Sequence, residues 1–75
     1  MRLSEFTRAV SEEFGDGYGR VLLNDLVLTE LGGRTAERAL GDGEPPRTVW
    51  LALCRATDVP ENRWYGAGLP RPRSR

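Results

Sequence analysis

The stretch YGRVLLNDLVLTELGG, residues 18–33, decides the fold. Its apolar side chains recur at intervals of three and four residues and cover more than half of a helical surface, which is typical of a central helix. The apolar run at residues 21–23 leaves a strand as the alternative. However, the segment is long for a strand, contains Asn24 and Asp25, and ends in a glycine pair. We therefore predict a helix over residues 18–31.

Helical patterns on both sides of this segment predict further short helices. They are a helix capped by Ser4 and ending at Phe14, a short helix over residues 36–40 capped by Thr35, and a helix from Pro45 or Pro46 to about Thr57. Residues 61–65 form one further turn, which carries Trp64. The predicted fold class is therefore all-α, a compact bundle of three to four short helices.

The chain divides into one domain and a tail. Residues 1–65 form the predicted helical domain, because a chain of this length can bury only one small core. Residues 66–75 are rich in glycine, proline and arginine and have too little apolar content to order themselves. We expect them to be a flexible, disordered tail.

The charges balance over the whole chain but not along it. The chain has eleven acidic and eleven basic residues, and every basic residue is arginine. Arginine makes bidentate contacts with carboxylates and phosphates. Arg71, Arg73 and Arg75 lie in the last five residues, so the domain is mildly acidic and the tail is basic. A basic end of this kind usually serves only solubility, and the alternative is that these three arginines form an electrostatic tail for an acidic partner or nucleic acid.

The sequence indicates a cytoplasmic protein with no membrane association. Its single cysteine, Cys54, cannot form an intramolecular disulfide, so folding does not depend on an oxidising compartment. No apolar run is long enough to span a membrane, and the first residues are too polar for a signal peptide.

Residues for enzyme chemistry or metal binding are scarce. The chain has no histidine and no lysine, and Cys54 lies among apolar residues, where it is expected to be a small core residue. The turn Gly32-Gly33-Arg34-Thr35 resembles a phosphate-binding loop, but it lacks the spacing and the lysine of one, and a helix end followed by an N-cap explains it better. We predict no enzyme activity, no cofactor and no metal.

Two surfaces are candidates for binding. The predicted helices at 36–40 and 46–57 form a helix-turn-helix candidate, on which Arg47 and Arg55 would reach nucleic acid, although the acidic residues around it disfavour duplex binding. A protein partner is favoured instead by aromatic anchors at an edge with arginines nearby. The predicted interaction surface consists of Arg34, Arg47, Arg55, Arg63, Trp64 and Tyr65.

Several segments taken together resemble a known family. They are Met-Arg-Leu-Ser-Glu-Phe at residues 1–6, Leu-Gly-Gly-Arg-Thr at 31–35, Val49-Trp50, and Asp58-Val59-Pro60. In their order and spacing the chain, up to about residue 63, is similar to a small actinobacterial family of unknown function. The resemblance implies genes that often lie beside those of the recombinase RecA and its regulator RecX, and hence a role in DNA recombination or repair. It supplies no catalytic or binding residues.

The sequence therefore predicts a non-enzymatic interaction module with an as yet unknown protein partner in DNA recombination or repair. The alternative is a helix-turn-helix-like nucleic-acid-binding module. The chain is either a monomer or a homodimer. A homodimer is considered because the predicted central helix has an apolar stripe that three short neighbouring helices would not cover completely.

Overall fold

Four α-helices and a short antiparallel sheet make up residues 1–64, the part of the chain that the computed structural model describes. The elements are α1 (Leu3–Phe14), α2 (Asp16–Asp25), β1 (Val27–Leu28), β2 (Arg34–Thr35), α3 (Ala36–Gly41) and α4 (Pro46–Ala56), with 3₁₀ turns at Thr29–Leu31 and Glu61–Arg63. The predicted bundle of short helices is confirmed. The predicted disordered tail and the domain boundary after residue 65 lie outside the described residues.

The predicted helix over residues 18–31 is wrong beyond Asp25. Leu26 has extended backbone angles, and the strand that follows pairs Val27 with Thr35 and Leu28 with Arg34. Gly32 and Gly33 have φ of +70° and +79°, a region that favours glycine, and they reverse the chain between the two strands. Leu28, which lies on β1, and Leu31, which lies in the 3₁₀ turn, are both buried in the core. The second half of the apolar segment thus reaches the core as a hairpin rather than as a helix.

The predicted helix caps are partly confirmed. Ser4 lies inside α1, and the carboxylate of Glu5 accepts a hydrogen bond of 2.7 Å from the backbone N–H of Arg2, so the predicted Ser4 cap is wrong. Thr35 does cap α3, because its hydroxyl accepts from the N–H of Arg38 at 3.2 Å. Pro46 occupies the first position of α4, where its missing N–H is not needed.

The core is centred on α4. Five of its residues are buried, and they are Val49, Trp50, Ala52, Leu53 and Cys54. The ring of Phe6 on α1 meets that of Trp50 edge to face, with the centroids 6.4 Å apart. The sequence prediction that Cys54 is a core residue is confirmed, and Trp50 is buried beside it on the same helix.

Helices α1 and α2 are packed closely at a glycine. A Cβ built on Gly19 of α2 would lie 2.8 Å from Cγ1 of Val10 on α1. The absence of a side chain at Gly19 therefore allows the two helices to approach each other. This contact leaves the opposite side of α2 facing solvent.

Candidate functional site

Arg34, a residue of the predicted interaction surface, is held by contacts within the protein. Its guanidinium donates to the carbonyl of Leu31 at 2.7 Å, to the carboxylate of Asp42 at 3.2 Å and to that of Glu44 at 2.7 Å. The hydrogen bonds that its guanidinium donates to Glu44 and Asp42 raise the pKa of Arg34 above its ordinary value. Arg34 thus joins the hairpin to the segment between α3 and α4.

Arg55, near the end of α4, makes a bidentate ion pair with Glu30. The shortest distance, from Nη2 of Arg55 to Oε1 of Glu30, is 2.6 Å. These hydrogen bonds hold the pKa of Glu30 below its ordinary value and raise that of Arg55. The guanidinium also lies 5.6 Å from the centroid of the Trp64 ring, within cation–π range.

Trp64 and Arg63 hold the last described residues against the helical bundle through hydrogen bonds and an ion pair. The indole N–H of Trp64 donates to the carbonyl of Val59, and the carbonyl of Trp64 accepts from the indole N–H of Trp50, both at 2.7 Å. Arg63 pairs with Glu13 on α1 at 2.9 Å. Four of the six residues predicted as an interaction surface, Arg34, Arg55, Arg63 and Trp64, therefore make contacts inside the fold.

Of the two remaining residues, Arg47 is described by the structure and Tyr65 is not. Arg47 is exposed at the start of α4 and makes no ion pair with residues 1–64. The predicted interaction residue Tyr65 and the tail arginines Arg71, Arg73 and Arg75 lie outside the described residues.

The helix pair of the helix-turn-helix candidate is present as α3 and α4. However, α4 is the most buried helix, and its exposed residues are Arg47, Thr48, Arg55 and Ala56. Arg55 is already engaged by Glu30. This leaves Arg47 as the cation on α4 that has no carboxylate partner among the described residues.

The outer side of α2 exposes two large apolar side chains, one helical turn apart. Tyr18 is 61% exposed and Val21 is 50% exposed. The sequence had indicated an exposed apolar stripe on this helix, but it did not identify these residues as a site. Two further apolar side chains, Leu3 and Val27, are more than half exposed on other elements.

Tyr18 is the outer end of a row of aromatic rings. Its ring meets that of Phe14 at a centroid distance of 6.3 Å, and Phe14 in turn meets the buried Trp50 at 6.4 Å. Both contacts are inclined, as aromatic pairs prefer. The exposed Tyr18 ring therefore packs against Phe14, which in turn packs against the core.

A cleft of about 420 Å³ lies between α1, α2 and α3, on the other side of α2. Six of its nine lining residues are polar, and they include Ser11, Asp16, Arg20, Asn24 and Glu37. The Ser11 hydroxyl donates to the carboxylate of Asp16. Small-molecule sites are usually lined by apolar side chains with a few polar groups, so this cleft has little of their character.

Cys54 is fully buried in the core. Burial, assisted by the negative charge of Glu13, raises the pKa of its thiol to about 12. The thiol is therefore protonated at neutral pH and is a poor nucleophile.

Residues 1–64 contain neither a membrane-spanning helix nor a metal-ligating cluster. None of the helices in this part of the chain has the length and apolar character needed to cross a bilayer. In the same residues, no three potential metal-ligating side chains come together.

Comparisons with known proteins identify a family but not an activity. A putative envelope-preserving system protein of Mycobacterium tuberculosis is 53% identical over 38 residues, which are 51% of this chain and 14% of that relative. The chain thus matches only a small part of the relative's length. No solved structure matches the chain. A family model described as "Protein of unknown function (DUF3046)" matches residues 1–62, and the chain therefore belongs to the DUF3046 family.

Proposed function

We propose that this chain is a non-enzymatic protein-binding module whose contact with its partner is centred on Tyr18 and Val21 of α2. The observation that carries the proposal is their exposure side by side on one helix, whereas the other exposed large apolar side chains, Leu3 and Val27, lie on separate elements. Tyrosine is among the residues that contribute most at protein interfaces, because it combines a large apolar ring with a polar hydroxyl.

The packing of the Tyr18 ring against its aromatic neighbour favours binding. The ring packs against Phe14, and Phe14 packs against Trp50 in the core. A side chain that is already ordered loses less conformational entropy when a partner covers it. An aromatic side chain held in this way is a better anchor than one that moves freely.

A longer relative bears on the class of partner to be tested. The shared 38 residues make up 14% of the Mycobacterium tuberculosis protein. The relative is named for preservation of the envelope, which makes envelope proteins one class of partner to test.

DNA recombination or repair is the process in which we place the module. This assignment depends on the gene neighbourhood that the family resemblance implies, with RecA and RecX as neighbours. Purified RecA and RecX are therefore the first candidates, and each is titrated against the fluorescently labelled chain. We expect saturable binding to one of them, weakened by Tyr18→Ser. No change in anisotropy with either protein would remove this process from the proposal.

The alternative, a nucleic-acid-binding module, has Arg47 and Thr48 as its exposed polar residues on α4. It predicts salt-sensitive binding of labelled DNA that Arg47→Ala weakens, since phosphate contacts release counterions. We favour the protein partner because α4 is mostly buried and Arg55 is held by Glu30. Anisotropy with single- and double-stranded DNA at low and moderate salt separates the two functions.

The test of the proposal is photo-cross-linking in the host cell. A photoreactive amino acid replaces Val21 in the full chain, and a matched variant carries it at Thr48, which is exposed on α4. We expect a discrete cross-linked product from position 21 that Tyr18→Ser abolishes, and no such product from position 48. Equal products from both positions, or none from position 21, would refute the proposed surface.

A further inference from the structure

The exposed surface of α2 continues from its apolar residues to an acidic one. Tyr18, Val21 and Asp25 follow one another at intervals of three and four residues, so they lie on one stripe of the helix. All three are exposed. Asp25 is the last residue of α2, and its side chain makes no hydrogen bond or ion pair with residues 1–64.

No side chain of residues 1–64 forms an ion pair with the negative charge at this end of α2. The carboxyl end of a helix carries a partial negative charge that lysine or arginine normally balances. The last turn of α2 contains no basic residue, and it adds the carboxylate of Asp25 to the helix dipole. A cation beside Asp25 would interact favourably with both.

Among residues 1–64, no arginine makes an ion pair with Asp25. Most arginines among residues 1–64 are already paired with acids, and those are Arg8, Arg34, Arg38, Arg55 and Arg63. The one arginine of α2, Arg20, lines the polar cleft together with Asp16. It therefore lies on a different side of the helix from Asp25.

Resting on the proposed function, we infer that the partner binds through a cationic segment. An apolar group of this segment packs on Tyr18 and Val21, and an arginine or lysine one helical turn further reaches Asp25. The excess of acidic over basic residues in the described domain attracts such a segment over a longer range. An acidic segment would meet unbalanced negative charge at the same place.

The inference is tested by reversing one charge in the chain that carries the photoreactive amino acid at position 21. Asp25→Lys reverses the charge on the proposed stripe. Glu37→Lys makes the same change in net charge on α3, where Glu37 is exposed and lines the polar cleft. Both variants are first shown to be folded by circular dichroism. Asp25→Lys is expected to keep the fold, because lysine suits the carboxyl end of a helix.

We expect Asp25→Lys to lower the yield of the cross-linked product about fivefold, while Glu37→Lys leaves it within about twofold of the parent. Equal yields from the two variants would overturn the inferred cationic segment and leave the proposed surface intact. A higher yield from Asp25→Lys would show an acidic partner and overturn the inference. Absence of a product from the parent itself would instead refute the proposed function, and the inference with it.

Discussion

Replacing Gly19 by alanine tests the close packing of α1 and α2. The new Cβ would lie 2.8 Å from Cγ1 of Val10, at least about 0.7 Å short of an optimal carbon–carbon contact. Val10 is buried, and a valine in a helix has one strongly preferred rotamer, so its methyl group cannot turn away at low cost. The two helices would have to move apart.

Two opposing effects determine the size of the change in stability. Alanine is favoured over glycine in a helix by up to about 1 kcal/mol. An extra methyl group in a well-packed core costs about 1–3 kcal/mol. We expect Gly19→Ala to lower the free energy of unfolding by about 1 kcal/mol, which corresponds to a fall in Tm of about 4–8 °C for a domain of this size.

Gly17 provides the matched control on the same helix. A Cβ built on Gly17 has no other atom within 4 Å, so Gly17→Ala should raise stability by about 0.5 kcal/mol. Thermal and urea unfolding, followed by circular dichroism, measure both variants. In a Val10→Ala background the clash is absent, and Gly19→Ala should become stabilising. If Gly19→Ala raised stability as much as Gly17→Ala does, the close approach of the two helices would be refuted.

Three further predictions concern the end of α4, the buried thiol and an ion pair. Asp58 has a φ of +60°, and the N–H of Val59 bonds back to the carbonyl of Cys54 at 3.0 Å, an arrangement in which glycine is preferred. Asp58→Gly should therefore raise stability by about 0.5–1 kcal/mol in urea unfolding, and Asp58→Val should lower it. Cys54 should react with a thiol reagent at pH 8 only as fast as the protein unfolds. Because its pKa is raised from 9.0 to about 12 in the folded state, stability should fall as the pH rises above 9, and Cys54→Ala should remove that fall. The pKa of Glu30 is lowered from 4.5, so its contribution to stability is present above pH 4.5 and is lost as the pH falls through the lowered value. Glu30→Gln should lower stability at pH 7 and reduce this acid dependence, and an unchanged acid transition would show that the pair with Arg55 does not form in solution.

Local sequence patterns were sufficient to predict most of the helices. Apolar spacing and proline chemistry gave α1 and α4 nearly to the residue, and Thr35 correctly marked the start of α3. The hairpin was missed because Leu28 and Leu31 satisfy a helical spacing as well as a strand and a turn. Their conformation is set by pairing with residues 34 and 35, which a local pattern does not reveal.

The candidate site was harder to predict, because it depends on contacts between distant residues. Arg55 and Arg63 looked available for binding in the sequence, but their partners, Glu30 and Glu13, lie 25 and 50 residues away. The exposure of Tyr18 likewise follows from the packing of Gly19 against α1, which turns the other side of α2 outward. The helical repeat indicated an apolar stripe but not which part of it would be covered.

The proposed binding surface is tested most directly by the photoreactive group at position 21 of the full chain in the host cell. We predict one discrete product, present with Tyr18 and absent with Tyr18→Ser, while Gly17→Ala on the same helix leaves it in place. A product of equal yield with and without the Tyr18 ring would contradict the account, since the partner would then be recognised by some other part of the molecule.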